Sequence, residues 1–199
     1  ELACATQNAL RVAPLDGGPS RTLVEGSTGV WEWTSDGFVY FSQPVEPGPS
    51  LVLARIPVTG GGNEAIEILT ELQEGGGAHI LFSVLEGGKM GVFQVVRGFD
   101  VDATEVWSID LETRERRFLM AGGTPRYAST GHLLFVTPDD VLMAQSIDPA
   151  TAELTGPALS VAENLVTNLG LANYAVSKSG TLIYQDGGAT ASGLYQPVR

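Results

Sequence analysis

Several things are scarce in this chain, and each scarcity removes a class of protein. Cysteine occurs once, as Cys4. A single thiol builds neither an intramolecular disulfide framework nor a multi-cysteine zinc site, and Cys4 reads as a small hydrophobe within the apolar stretch 2–6. No apolar run approaches the roughly 18 residues that a membrane-spanning helix needs. Lys and Arg number 11 against 23 Asp and Glu, a formal charge of −12. A surface this acidic repels phosphate backbones and anionic lipid, which argues against nucleic acid or an anionic membrane as partner. The chain opens on Glu1 with no basic segment and apolar core of a signal peptide, so the expectation is a processed chain or a piece of a longer one.

Catalytic signatures are also missing. Gly88-Lys89 lacks the partner glycine of a phosphate-binding loop, and neither Gly-x-Ser-x-Gly nor His-Glu-x-x-His occurs. No protein-kinase catalytic motif is present. Imidazole is limited to two residues, His79 and His132.

What is present points to strands. Hydrophobic residues make up 43% and charged residues 17%, enough apolar side chain for one domain with a substantial core. The 25 glycines and 11 prolines fall between short apolar runs, where they serve as turns. The stretch 122–161 shows the pattern best. Residues 126–128 open it, Ser129-Thr130-Gly131 turns it, 132–136 is an apolar run, Pro138-Asp139-Asp140 turns again, 141–147 follows, and 159–161 closes it. Comparable units surround it. The turn glycines Gly37, Gly87, Gly131 and Gly180 recur in steps of 50, 44 and 49 residues. A period of roughly 40–50 residues, each unit made of four short strands, is the signature of a β-propeller. One four-stranded sheet cannot bury both its faces alone, but sheets stacked around an axis can. That explains why 38–41 and 133–136 are apolar without strict alternation. The expected fold is all-β, a propeller of four-stranded antiparallel blades. It has about five units (1–25, 29–70, 77–120, 123–163 and 172–199), the first and last incomplete, and is completed either by closing as a ring or by oligomerising through its open blade edges. Residues 63–73 carry a competing signal, with Ala65, Ile68, Leu69 and Leu72 at helical spacing and Asn63 as a possible N-cap. The repeat favours a strand over 64–69.

The turns Ser35-Asp36-Gly37, Ser129-Thr130-Gly131 and Lys178-Ser179-Gly180, each followed by an apolar strand, resemble the WD40-like repeats of TolB-type propellers. Pro125-Arg126-Tyr127, Gly131-His132-Leu133, Leu142-Met143-Ala144 and Gly180-Thr181-Leu182 resemble propellers attached to bacterial serine/threonine protein kinases and their free-standing relatives. The resemblance covers nearly the whole chain. It implies a bacterial, periplasmic or otherwise extracytoplasmic protein, and usually six or seven blades.

Candidate site residues follow from the positions such a fold would give them. His79 begins what would be an innermost strand beside the central channel, a place suited to a metal ligand or a base. Asp100 and Asp102 stand two apart in a polar loop and can share a hard cation. With His79 and Asn173 they make a candidate set for Ca²⁺ or Zn²⁺. Trp31, Trp33 and Tyr127 lie on predicted inner strands, where they line an axial ligand pocket or pack between blades. Arg114, Arg116 and Arg117 form the one basic cluster, on a predicted outer hairpin. Turn chemistry accounts for Asp139 and Asp140, and His132 follows a turn glycine at a strand start, where a structural or exposed role suffices. The functional expectation is a non-catalytic module that binds a protein or small-molecule ligand, possibly within a larger receptor or kinase. The alternative is a metal-dependent lactonase or phosphotriesterase with a cation in the channel.

Overall fold

The computed structural model describes residues 2–6, 9–26, 31–60, 62–74, 76–98, 100, 103–168, 171–177 and 179–187, the side chains of 2–6, 31, 81 and 82 excepted. The chain is built of short strands. A first sheet holds β1 (Leu2–Thr6), β2 (Ala9–Ala13) and β3 (Arg21–Glu25). A second holds β4 (Trp31–Trp33), β5 (Phe38–Val45), β6 (Ser50–Pro57) and β7 (Glu67–Ile68). A third holds β8 (Gly77–Val84), β9 (Met90–Arg97), β10 (Thr104–Asp110) and β11 (Arg116–Ala121). The second and third are joined edge to edge only by a parallel bridge from Leu51 to Ala78. A fourth sheet holds β12 (Gly123–Ala128), β13 (His132–Val136), β14 (Leu142–Ile147) and β15 (Leu154–Ala162). Two small ladders follow, β16 (Thr167–Asn168) with β17 (Leu171–Ala172), and β18 (Tyr174–Val176) with β19 (Leu182–Tyr184). Within each sheet, consecutive strands pair antiparallel.

The repeated turn explains the regular spacing. Gly37, Gly87, Gly131 and Gly180 all have positive φ, at 87°, 91°, 81° and 84°, a backbone conformation that costs glycine little and other residues much. Strand alternation then sends successive side chains to opposite faces. On β5, Val39 and Phe41 pack against Leu10, Val12 and Leu23 of the first sheet. Tyr40, between them, packs the other way, against Phe93 and Ile109 of the third. Val92 of β9 turns from Phe93 towards Leu133 and Phe135 of the fourth sheet. Leu134 and Val136 meet Ala172, Tyr174 and Leu182 beyond it. Four apolar layers thus separate successive sheets. This is the burial of both faces that the non-alternating apolar runs imply.

Polar groups cross these layers. Thr124 has a left-handed φ of 51°, unfavourable for a β-branched residue. Three bonds hold it: its N–H donates to Gln94 Oε1 at 2.7 Å, its Oγ1 accepts from the Ala172 N–H at 2.8 Å, and its carbonyl accepts from the Tyr174 hydroxyl. A Cβ on neighbouring Gly123 would lie 2.9 Å from Gln94 Oε1, so only glycine lets the two sheets approach here. At the rim, the basic cluster is exposed and also braces neighbouring sheets. Arg114 pairs with Glu67 at 2.6 Å, Arg116 donates to the Glu71 carbonyl at 2.9 Å, and Arg117 reaches the other way to the Ala152 carbonyl at 2.9 Å.

Three expectations are modified. Residues 63–65 form a short 3-10 turn with Gly62, not Asn63, at its N-cap position, and the strand shrinks to β7. The Asn63 side chain instead bonds the Glu25 backbone in both directions, at 2.9 and 3.3 Å. Burial of Leu69 between sheets overrides the helical spacing. The closing strand of the fourth sheet is longer than 159–161, spanning β15. The end of the last expected unit, 188–199, lies outside the described residues. Among those described, no strand of the first sheet pairs with the final ladders, so strand-paired closure of a ring is not made by them.

The layer between the second and third sheets yields a direct expectation. Phe93→Ala should cost about 3–5 kcal/mol, the range for a truncated core aromatic. Phe118→Ala, at a side chain 49% exposed, should cost under about 1 kcal/mol. Urea denaturation of both variants checks the contrast.

Candidate functional site at the axial mouth

Four strands, each opening its unit, end together. β4, β8, β12 and β18, with the turns that follow them, enclose a cavity of about 660 Å³, lined among others by Glu32, Trp33, Asp36, Glu86, Tyr127 and Ser177. These residues come from four successive units, at a shared mouth between the sheets.

Three carboxylates give the mouth its electrostatic character. Burial raises the pKa of Glu32 to about 7, and the nearby Arg126 guanidinium and a hydrogen bond from the Val84 backbone offset part of that rise. Arg126 Nη1 stands 3.9 Å from Glu32 Oε2, and the Glu32 side chain keeps 29% of its surface open. Asp36 is tied into its own turn. Its Oδ1 accepts from the Phe38 N–H at 3.1 Å and from the Thr34 hydroxyl, and its Oδ2 accepts from the Tyr40 hydroxyl at 2.6 Å. Glu86 sits exposed on the third unit's turn. The Tyr127 hydroxyl is enclosed without a hydrogen bond of ordinary geometry. Burial, and then the adjacent Glu86 carboxylate, raise its pKa. No Lys or Arg is among the described residues lining the cavity.

The residues singled out from sequence fall in different places. Trp33 and Tyr127 line the mouth; each also packs against an inter-sheet layer. The Trp31 side chain lies outside the described residues. His79 is not on the axis. It is 4% exposed, between the second and third sheets, with its ring edge-on to Phe93 at 5.4 Å and Nδ1 2.8 Å from Thr70 Oγ1. Thr70 Oγ1 also accepts the Leu53 N–H at 2.9 Å; where its own proton goes to Nδ1, the neutral ring carries its proton on Nε2. Burial first, then Arg116 and Arg97, depress the His79 pKa to about 4. Asp100 is exposed in the turn after β9, and Asp102 lies outside the described residues. Asn173 is exposed and donates to Gln185 Oε1 at 3.0 Å. The structure therefore does not bring His79, Asp100 and Asn173 together. Among the described residues no three His, Cys, Asp or Glu side chains are grouped to hold a metal. Glu32 escaped the sequence reading, although a lone carboxylate between Trp31 and Trp33 on an inner strand was its signal.

In sequence, no family model and no curated protein matches this chain. In structure it is similar to TolB from Acinetobacter baumannii, with a TM-score of 0.62 at 16% identity over 92% of this chain and 45% of that one. A puromycin-hydrolysing peptidase of Mycobacterium tuberculosis gives 0.64 at 13% identity, over 92% and 34%. A structure from a study of two prolyl endopeptidases gives 0.57 at 16% identity, over 86% and 27%. The chain thus spans less than half the length of each. At such identities the likeness is one of fold: the sheets are those of TolB- and peptidase-type β-propellers. None of the three is a protein kinase, and the kinase association implied by the sequence resemblance is unsupported.

The raised Glu32 pKa means that the folded state holds this proton more tightly than the unfolded chain. Its contribution to stability is therefore lost as pH rises from 4.5 towards 7. Glu32→Gln should stabilise the protein above pH 7 by roughly 1–2 kcal/mol, discounted for the exposed part of the side chain, and be neutral below pH 4.5. Urea denaturation at the two extremes reads this. His79 has the opposite linkage, its stability cost appearing as pH falls from 6.5 towards 4. Histidine NMR should show His79 still neutral at pH 5 to 6.

Proposed function

We propose that this chain is a non-catalytic binding module, and that the axial mouth takes a protein segment or small molecule bearing a cationic group. The observation that carries this reading is the lining of the mouth. Trp33 and Tyr127 offer aromatic surface, and Glu32, Asp36 and Glu86 offer carboxylates, of which Glu32 already has the Arg126 guanidinium 3.9 Å away. An amine or guanidinium entering there gains both carboxylate and aromatic-face attraction. A cavity of about 660 Å³ has the size of an ordinary ligand site. Propellers of the TolB and peptidase type serve mainly as binding modules, which supports the same reading, while fold alone does not assign a ligand. The five units read from the sequence are the blades in this proposal. The partner of any longer protein is left to the ligand chemistry.

The test is a binding screen with matched short peptides carrying cationic, neutral or acidic side chains, followed by intrinsic fluorescence. The expected hits are cationic, weaken with added salt, and lose affinity about tenfold or more in Trp33→Ala and Glu32→Gln, the scale of an aromatic or charged anchor. A preference for acidic peptides, or affinity untouched by both substitutions, contradicts the proposal. Esters, lactones and phosphotriesters should show no turnover with or without added Ca²⁺ or Zn²⁺; turnover that disappears on chelation restores the hydrolase alternative.

A further inference from the structure

A second cleft, of about 300 Å³, opens at the rim between the second and third sheets, away from the axial mouth. Its electrostatics are inverted relative to the rest of the chain. Arg97, Arg114 and Arg116 line it, and no Asp or Glu does among the described residues, although acidic residues outnumber basic ones 23 to 11 overall. Phe93 and Trp107 supply an apolar wall, and His79 lies in its floor.

The cations differ in how far they are already satisfied. Arg97 grips Glu105 through Nε at 3.1 Å and Nη2 at 2.9 Å. Arg114 pairs with Glu67 at 2.6 Å. Arg116 bonds only a backbone carbonyl, that of Glu71. It has no carboxylate in reach among the described residues, so most of its donors remain available. The His79 ring is almost wholly buried, and its Nδ1 is occupied by Thr70. Among the described residues no partner faces its Nε2, which carries the ring's proton when Thr70 donates to Nδ1. Two donors of the kind that recognise an oxyanion therefore share a cleft with an aromatic wall.

We propose that this cleft binds the carboxylate of a small aromatic acid, with Arg116 and His79 Nε2–H as its donors and Phe93 and Trp107 against its apolar body. A bound carboxylate would offset the two guanidinium charges that now help depress the His79 pKa to about 4, so occupancy raises that pKa.

Benzoate, benzyl alcohol and inorganic phosphate serve as probes on the full chain, with the two histidine signals assigned through His132→Gln. Benzoate is expected to shift the His79 resonances saturably and raise its titration midpoint while leaving His132 unmoved. Benzyl alcohol and phosphate are expected to do neither at the same concentration. Arg116→Gln, at an exposed rim position, should weaken benzoate about tenfold or more, the loss of one charge-assisted hydrogen bond. Lys89→Gln removes a charge elsewhere and should leave binding intact. The proposal is overturned by no saturable His79 shift with benzoate, by an equal response to benzyl alcohol or to phosphate, or by full binding in Arg116→Gln.

Discussion

An innermost strand has a full ladder partner on one side only, and its other edge still carries backbone groups that must be bonded. The structure satisfies them with polar side chains lent by the preceding sheet. Ser42 donates to the His79 carbonyl at 3.1 Å. Gln94 accepts the Thr124 N–H at 2.7 Å, Ser83 accepts the Tyr127 N–H at 3.3 Å, and Thr124 accepts the Ala172 N–H at 2.8 Å. Each bond runs from one unit to the next along the chain. An orphaned buried donor or acceptor would cost about 1–3 kcal/mol. These contacts therefore fix the distance between sheets as well as joining them, and the apolar layers pack within the spacing they set. Thr124 shows how firmly: its strained backbone is tolerated because three partners in two flanking units hold it.

Both clefts follow from this arrangement. Because the inner strands are tied at their edges, their ends hold steady around an axial mouth, and the short turns after them bring Asp36 and Glu86 to its rim. The second cleft opens between the second and third sheets. There the space between the second and third sheets is bridged by arginines, whose partners lie on the facing segment that carries Glu67 and Glu71. The two openings have opposite charge. Among the described lining residues the mouth carries carboxylates and no Lys or Arg, whereas the rim cleft carries guanidinium groups and no Asp or Glu. The two proposed sites thus differ in charge.

Much of the scaffold was legible in the residues. Turn glycines at near-regular steps marked the units, and runs such as 38–41 told that both faces are covered, because no residue in them is polar enough to face water. The position of His79 was not legible. Alternation from the strand start would aim it by simple parity, but β8 shifts register between Ile80 and Ser83. The shift lies beyond His79, which faces Thr70 and the second sheet, while Ser83, of the same parity, faces Tyr127 of the fourth. Nothing in Leu81-Phe82 announces it. The opposite failure occurs at Glu32, whose pKa is raised by burial, with Arg126 and Val84, partners 94 and 52 residues away, offsetting part of the rise. Such a site exists only once the sheets are stacked. Residues 63–73 show a third case, where local helical spacing gives way to the burial of Leu69 and Thr70 as an extended segment.

Native-state amide hydrogen exchange on Thr124, Tyr127 and Ala172 tests the central claim most directly. These three N–H groups lie on strand positions whose acceptors are side chains of another unit, not backbone carbonyls. If the borrowed side chains hold the inner strands, the Thr124 and Ala172 amides exchange only on global unfolding, as slowly as the β9 and β13 ladders. Exchange of these amides at the rate of the exposed turns, while the ladders stay protected, would contradict the account.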